Sequence, residues 1–305
     1  MKKDRSAGSA SEPPDPEDPS PVNLLAAGVL RRNSLESWTK PAPSLYPHQW
    51  SWDSAFIALG LAHLDNWRAT REIETLFASQ WGNGKVPHIV VNPKAPPKSY
   101  FPDAERWNVS ALSTHAPSET HTSGLCQPPV HAIAVLRIWE TAQGKDERRV
   151  ERARSFLKSN YPRLFAWHRY LATARDPEGS GLVTIYHPWE SGTDNSPRWD
   201  AALEAVEIGE MPPYTRYDLQ HVEDPSQRPT DAEYDRFLWL LESLKRPLRG
   251  SEDLRVSSLP GEGRPLQRGA GCGERGAPGD LRGNRSSRRP RRHEDLDRTR
   301  PRRPR

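Results

Sequence analysis

Every aromatic residue of this chain precedes Pro247: 11 Trp, 8 Tyr and 6 Phe lie before it and none after. The 59 residues from Pro247 onward hold 16 Arg, no Lys and 8 acidic residues. A segment so charged, with so little to bury, cannot offset the conformational entropy lost on folding. Any core must be built earlier. Setting the tail aside leaves 28 basic and 32 acidic residues, so the body carries about −4 and the tail about +8. The net +4 of the 305-residue chain therefore describes the tail. The opening stretch, MKKDRSAGSASEPPDPEDPSP, is equally poor in apolar residues. The expected organisation is a disordered segment over 1–21, a folded domain over 22–246 and an Arg/Gly/Pro-rich disordered tail over 247–305.

Within the body, apolar residues recur at helical spacing. LLAAGVLRRN (24–33), WDSAFIALGLAHLD (52–65) and NWRATREIETLFASQW (66–81) each predict a helix. PPVHAIAVLRIWETAQ (128–143) predicts another, with its prolines in the first turn. Residues 147–175 predict one or two helices, with Pro162 as the break. In RPTDAEYDRFLWLLESLKR (228–246), Thr230 and Glu233 have the spacing of a capping box. Short strands are expected at HIVV (88–91) and GLVTIYHP (181–188). There is no βαβ alternation, so the fold class is all-α. Helical hairpins that gather their loops at one end would close into a toroid with the loops as its active face.

Two cysteines, Cys126 and Cys272, argue against a disulfide framework or a Cys-based zinc site, and no metal or organic cofactor is called for. No stretch approaches the roughly 18 apolar residues of a membrane span, and the N-terminus lacks the apolar run of a secretory signal. A cytoplasmic protein without a membrane partner is expected; the oligomeric state is left open.

The chemistry is expected in the loops, where Tyr46, Trp50, Trp52, Trp81, Tyr100, Trp107, Tyr186, Trp189 and Trp199 gather beside Asp, Glu, Asn, Gln, His and Arg. Flat aromatic faces with hydrogen-bonding groups at their rims suit sugar rings. Aromatic packing in a core would account for any one of them. Glycosidic cleavage needs a carboxyl group that keeps its proton, and burial among aromatics raises a carboxyl pKa. Asp194, in HPWESGTDNSPRWD (187–200), has a Trp on either side. It could equally be an Asx-turn or a helix N-cap.

YPHQWSWDSAFIALG, GKVPHIVVNP, QPPVHAIAV and HPWESGTDNSPRWD occur here in this order. Together they resemble the inverting α-glycosidases of glycoside hydrolase family 63, in particular its bacterial mannosylglycerate and glucosylglycerate hydrolase branch. The resemblance runs from about Leu24 to Arg246. It implies an (α/α)6 barrel, with Asp194 as general acid and a small α-glycoside as substrate. It implies a sugar subsite lined by Tyr46, Trp50, Trp52, Asp53, His88 and Gln127. Trp189, Asn195, Arg198 and Trp199 of the acid segment are further substrate-binding candidates. Tyr100, Arg228 and Tyr234 fit a glycerate moiety, since Arg can grip a carboxylate with two bonds. Arg228 could instead be a surface residue at a helix start.

In that family the general base is a Glu from the C-terminal part of the barrel. None of the tail carboxylates here (Glu252, Asp253, Glu262, Glu274, Asp280, Glu294, Asp295, Asp297) sits in a matching context. The chain as written is therefore expected to lack its base and to be inactive. A shifted reading frame would explain the tail: read out of frame, codons for Leu259 through Leu281 allow the amphipathic series FLVKDVLFNAVLVAANEALLEI. Two other readings stay open, a sugar-binding pseudoenzyme and an Arg-rich arm that binds nucleic acid or other polyanions. On the preferred reading no nucleic-acid partner is expected.

Overall fold

A computed structural model describes residues 20–248. Helix α1 (Pro21–Asn33) starts on a Ser20 cap, whose hydroxyl accepts from the Asn23 amide. Its proline sits in the first turn, where a missing N–H is harmless. Ser20 and Pro21 thus belong to a helix start, whereas residues 1–19 and the tail from 249 lie outside the described residues. Strand β1 (Gln49–Trp50) runs straight into α2 (Ser51–Leu64), which the Asp65 cap joins to α3 (Asn66–Ala78). Strand β2 (Ile89–Val90) falls within the expected HIVV and pairs antiparallel with β1, Trp50 opposite Ile89. The one-turn helices α4 (Ala104–Trp107) and α5 (Val109–Leu112) follow. Then come α6 (His131–Ala142), α7 (Glu147–Ala174), α8 (Asp200–Glu204) and α9 (Asp231–Leu248).

Three expectations need correction. Pro128 and Pro129 precede α6 instead of opening it. A residue before proline is pushed out of helical geometry, which holds Pro128 extended and delays the helix. Pro162 does not break α7, which runs through it as one helix. An internal proline costs about 3 kcal/mol. Both halves of α7 are nailed to the core by Phe156, Trp167, Tyr170 and Leu171, at roughly 1.5–3 kcal/mol for each large apolar side chain buried. Burial wins. Residues 181–188 form no strand: they have no neighbouring strand to pair with, and the Thr184 amide bonds the Arg175 carbonyl instead.

The helices pack around two cores. In the first, α2 and α3 form a hairpin against the hairpin of α6 and α7. Ala69, Ile73, Leu76 and Phe77 supply the buried stripe of α3, at the spacing of one helix face. Ala55, Ala58 and Ala62 keep α2 narrow, so its neighbours approach closely. The second core joins α9, through Tyr234, Phe237, Leu238 and Leu241, to Trp107, Val109, Trp199 and Leu203. The capping box at α9 is made as expected: the Thr230 amide donates to Glu233 Oε2 at 2.7 Å, and the Glu233 amide to Thr230 Oγ1 at 3.3 Å. No helix among the described residues is long and apolar enough to cross a membrane.

Candidate active site

Trp50, Trp52 and Asp53, expected in a sugar subsite, sit where β1 turns into α2, and a buried network fixes that turn. Gln49 Nε2 donates to Ser54 Oγ at 3.0 Å and to the Glu72 carbonyl at 3.0 Å; Ser54 and Thr39 donate to the two Glu72 oxygens at 2.7 and 2.8 Å. Arg68 pairs with Glu72 at 3.1 Å. Above this network, Trp50 meets Tyr46 and Tyr100 edge-on, with ring centroids 4.9 and 5.1 Å apart. No side chain of its own segment caps α2. Gln127 does so from a distance: its Oε1 accepts from the Trp52 amide at 3.2 Å. Asp53, in the first turn, is pushed up to about 6 by burial, with its own backbone N–H pulling the other way.

His88 closes one side. Burial, then the neighbouring His187, lowers its pKa to about 3, so its ring is neutral. Ser123 Oγ accepts from the Ile89 amide at 3.0 Å and lies 2.9 Å from His88 Nδ1. A hydroxyl proton given to Nδ1 leaves the hydrogen on Nε2, where it can be donated to a sugar oxygen.

The acid loop spans the two cores. The Trp189 amide donates to His187 Nδ1 at 3.1 Å, so His187 Nε2 carries the hydrogen and donates to the Phe237 carbonyl of α9 at 2.9 Å. Glu190 is held by Arg175 through two bonds of 2.7 and 2.6 Å and also accepts from the Cys126 and Tyr186 amides. Burial alone would raise its pKa, but Arg175 and these donors hold it at about 2. Behind it, the buried Lys85 ammonium donates to the Gly124 carbonyl at 2.7 Å, and burial lowers its pKa to about 7. The loop carrying Gln127 and the loop carrying Asp194 are thus tied through one carboxylate. Gly192 has φ +69°, and a Cβ there would stand 2.6 Å from Trp52 Cζ2. Only glycine allows the loop to lie on the Trp52 ring.

Asp194 caps no helix; those starts use Ser196 and Trp199. Its carboxyl pKa is raised by burial, against the pull of its own backbone N–H and of Arg228. Arg228 is tethered on two sides: its Nε donates to Asp218 at 3.0 Å and its Nη1 to the Tyr46 hydroxyl at 3.4 Å. The Tyr234 hydroxyl donates to the Phe101 carbonyl at 3.0 Å. Burial raises the Tyr100 pKa, and Tyr234, Tyr46, Asp194 and Arg228 all act on that hydroxyl. Trp189 packs between His88 and Tyr234, with centroids 6.3 and 6.4 Å away. Trp199 is buried and donates from Nε1 to the Thr193 carbonyl, which braces the acid loop from beneath. Asn195 and Arg198 are exposed, and Arg198 bonds locally to Ser196. Among the described residues, no group of three His, Cys, Asp or Glu is arranged to hold a metal ion.

The mannosylglycerate hydrolase MGH1-like glycoside hydrolase domain matches residues 46–259 of this sequence. The chain belongs to that family. A glucosylglycerate hydrolase from Mycolicibacterium hassiacum is 51% identical over 236 residues, covering 75% of this chain and 52% of that protein. A mannosylglycerate hydrolase from Rubrobacter radiotolerans is 46% identical over 231 residues, covering 74% and 50%. Among solved structures, the glycoside hydrolase family 63 mannosylglycerate hydrolase from Thermus thermophilus in complex with Tris superposes with a TM-score of 0.66 at 44% identity, covering 74% of this chain and 51% of that one. The chain thus spans about half the length of the relatives it matches. Its helical hairpins are those of the family's (α/α)6 barrel.

The motifs contain the residues expected to touch a sugar and leave out several that hold them in place. Glu190 and Gly192 lie inside the recognisable segment, where a buried acid and a glycine beside Asp194 were available signals. Arg175, Arg216 and Asp218 lie in stretches with no distinguishing pattern, and only the fold brings them in.

Proposed function

We propose that this chain carries the general-acid half of an inverting α-glycosidase site for a small α-hexosyl glycerate, and that as written it binds such a molecule without hydrolysing it. The observation that carries this reading is Asp194: a carboxyl group whose pKa is raised by burial, within the field of the Arg228 guanidinium, and two residues beyond the Gly192 that lies against the Trp52 ring. Asp194 would give its proton to the glycosidic oxygen as the bond to the anomeric carbon breaks, so the leaving group departs as a neutral hydroxyl. A water attacking the opposite face would lose its proton to a carboxylate roughly 6.5–9.5 Å from the acid. The family resemblance assigns that base to the C-terminal part of the barrel, and the carboxylates after Arg246 stand in no matching context. Arg228, with Tyr100 and Tyr234, would receive the aglycone carboxylate. Thermus thermophilus mannosylglycerate hydrolase, 44% identical, has been crystallised with Tris and D-glycerate and with glucose, which supports the pairing of a sugar subsite with an acid-binding one. A frame shifted after about residue 246 would account for the composition of the tail, although the family match runs on to residue 259.

Calorimetry of the full chain with glucosylglycerate, run beside a hexose-release assay, tests the reading. Saturable binding without release is expected. Absence of binding would remove the site, and release that vanishes in Asp194→Asn would show that a base is present after all.

A further inference from the structure

Arg228 is held by a residue that no motif marks. Asp218 Oδ2 accepts from Arg228 Nε at 3.0 Å and from Arg216 Nη2 at 2.8 Å, and Asp218 Oδ1 accepts from Arg216 Nε at 3.1 Å. Arg216 is itself pinned: its Nη1 donates to the Pro229 carbonyl at 2.8 Å and to Asp231 at 2.9 Å, and its guanidinium lies 4.4 Å from the Tyr234 ring centroid. The side chains of Arg216, Asp218 and Arg228 are only 8%, 10% and 16% exposed, so solvent screens this group weakly. Asp231 is 82% exposed, and its charge is largely met by water. Two guanidinium groups therefore face one shielded carboxylate, leaving a positive charge in excess. Nε and Nη1 of Arg228 are both engaged, the latter by Tyr46. Among the described residues Nη2 has no partner.

We propose that Asp218, braced by Arg216, is a positioning residue that sets the cleft's preference for an anionic aglycone by holding Arg228 with its Nη2 end free for a carboxylate. This rests on the hexosyl-glycerate reading above. The expected effect is opposite in sign to one based on charge alone. Removing an acidic group beside a cation should strengthen anion binding if Asp218 merely neutralises. If Asp218 positions the guanidinium, removing it should weaken anion binding, because the fixed fork geometry is lost.

The test is calorimetric titration of the full chain with glucosylglycerate and with glucosylglycerol, the neutral analogue without the carboxylate. The unaltered chain should prefer the anion. Asp218→Asn should lower the anion-to-neutral affinity ratio about tenfold, the scale of one charge-assisted contact, and Asp218→Glu should restore part of it. Arg216→Lys, which keeps the positive charge but loses the two-bond brace on Asp218, should lower the ratio in the same direction and decides the matter if Asp218→Asn does not fold. A ratio unchanged or raised in folded variants overturns the proposal alone. An unaltered chain that binds neither glycoside, or both alike, overturns the hexosyl-glycerate reading beneath it.

Discussion

Asp53 and Asp194 are carboxyl groups that burial makes reluctant to ionise, and they carry a stability cost that depends on pH. The folded pKa of Asp53, about 6, lies above its unfolded value near 3.8, so the folded state holds the proton more tightly. Its contribution is fully present below about pH 4 and is lost as pH rises through about 6; two units correspond to roughly 3 kcal/mol. The buried neutral histidines His48, His88, His131 and His187 add stability over the same range, so the Asp53 effect is read as a difference: between pH 4.5 and 7.5 the thermal midpoint of Asp53→Asn should rise relative to that of the parent. An identical pH dependence in the variant would mean that the pKa of Asp53 does not differ between the folded and unfolded states. A polar group kept at such a cost is the pattern of a residue retained for binding. Asp194 was legible in the sequence because a rare string surrounds it. Asp218 was not, because residues 211–227 carry no apolar period and its partner Arg216 is recruited by a loop path that only tertiary packing decides.

The end of α7 and two loops meet at the Glu190–Arg175 pair, whose side chains are each 2% exposed. Breaking a buried pair leaves a stranded charge and costs about 3–5 kcal/mol. Glu190→Gln should thus lower the midpoint of thermal unfolding by roughly 10 °C. The double variant Arg175→Met/Glu190→Leu should recover part of this, though the Cys126 and Tyr186 amides would still lack an acceptor. If the single variant melts like the parent, the pair is not what joins these elements. At this scale the sequence was readable wherever periodicity was strong: the buried stripes of α3 and α9 and the Thr230–Glu233 cap follow directly from residue spacing. It misled where a local rule met a tertiary one. Pro162 breaks an isolated helix, but not one anchored on both sides; residues 181–188 have strand composition but no strand to join.

Large apolar side chains remain on the surface of the described residues. Val22 and Leu25 of α1 are 71% and 72% exposed, Ile133 of α6 is 60%, and Tyr161 and Phe165 of α7 are 66% and 57%. Exposed apolar side chains of this size promote association wherever they adjoin one another. The chain as written should bind a hydrophobic dye and scatter light increasingly with concentration. A gene whose frame is restored after about codon 246 should give a product that binds less dye and unfolds more sharply. Equal dye binding by the two products, or nucleotides that encode no amphipathic series there, would remove the frameshift reading. The two halves of the site are also anchored unequally. The aromatic platform rests on the core of α2, α3, α6 and α7, whereas the acid loop has two anchors, one to the end of α7 through Glu190 and Arg175 and one to α9 through His187 and the Phe237 carbonyl. On the proposed reading, loosening α9 would free one end of the loop that carries the proton donor while its Glu190 anchor and the stacking surface stayed in place. Proton transfer would then be the earliest capacity lost on heating, and the grip on a sugar ring the last.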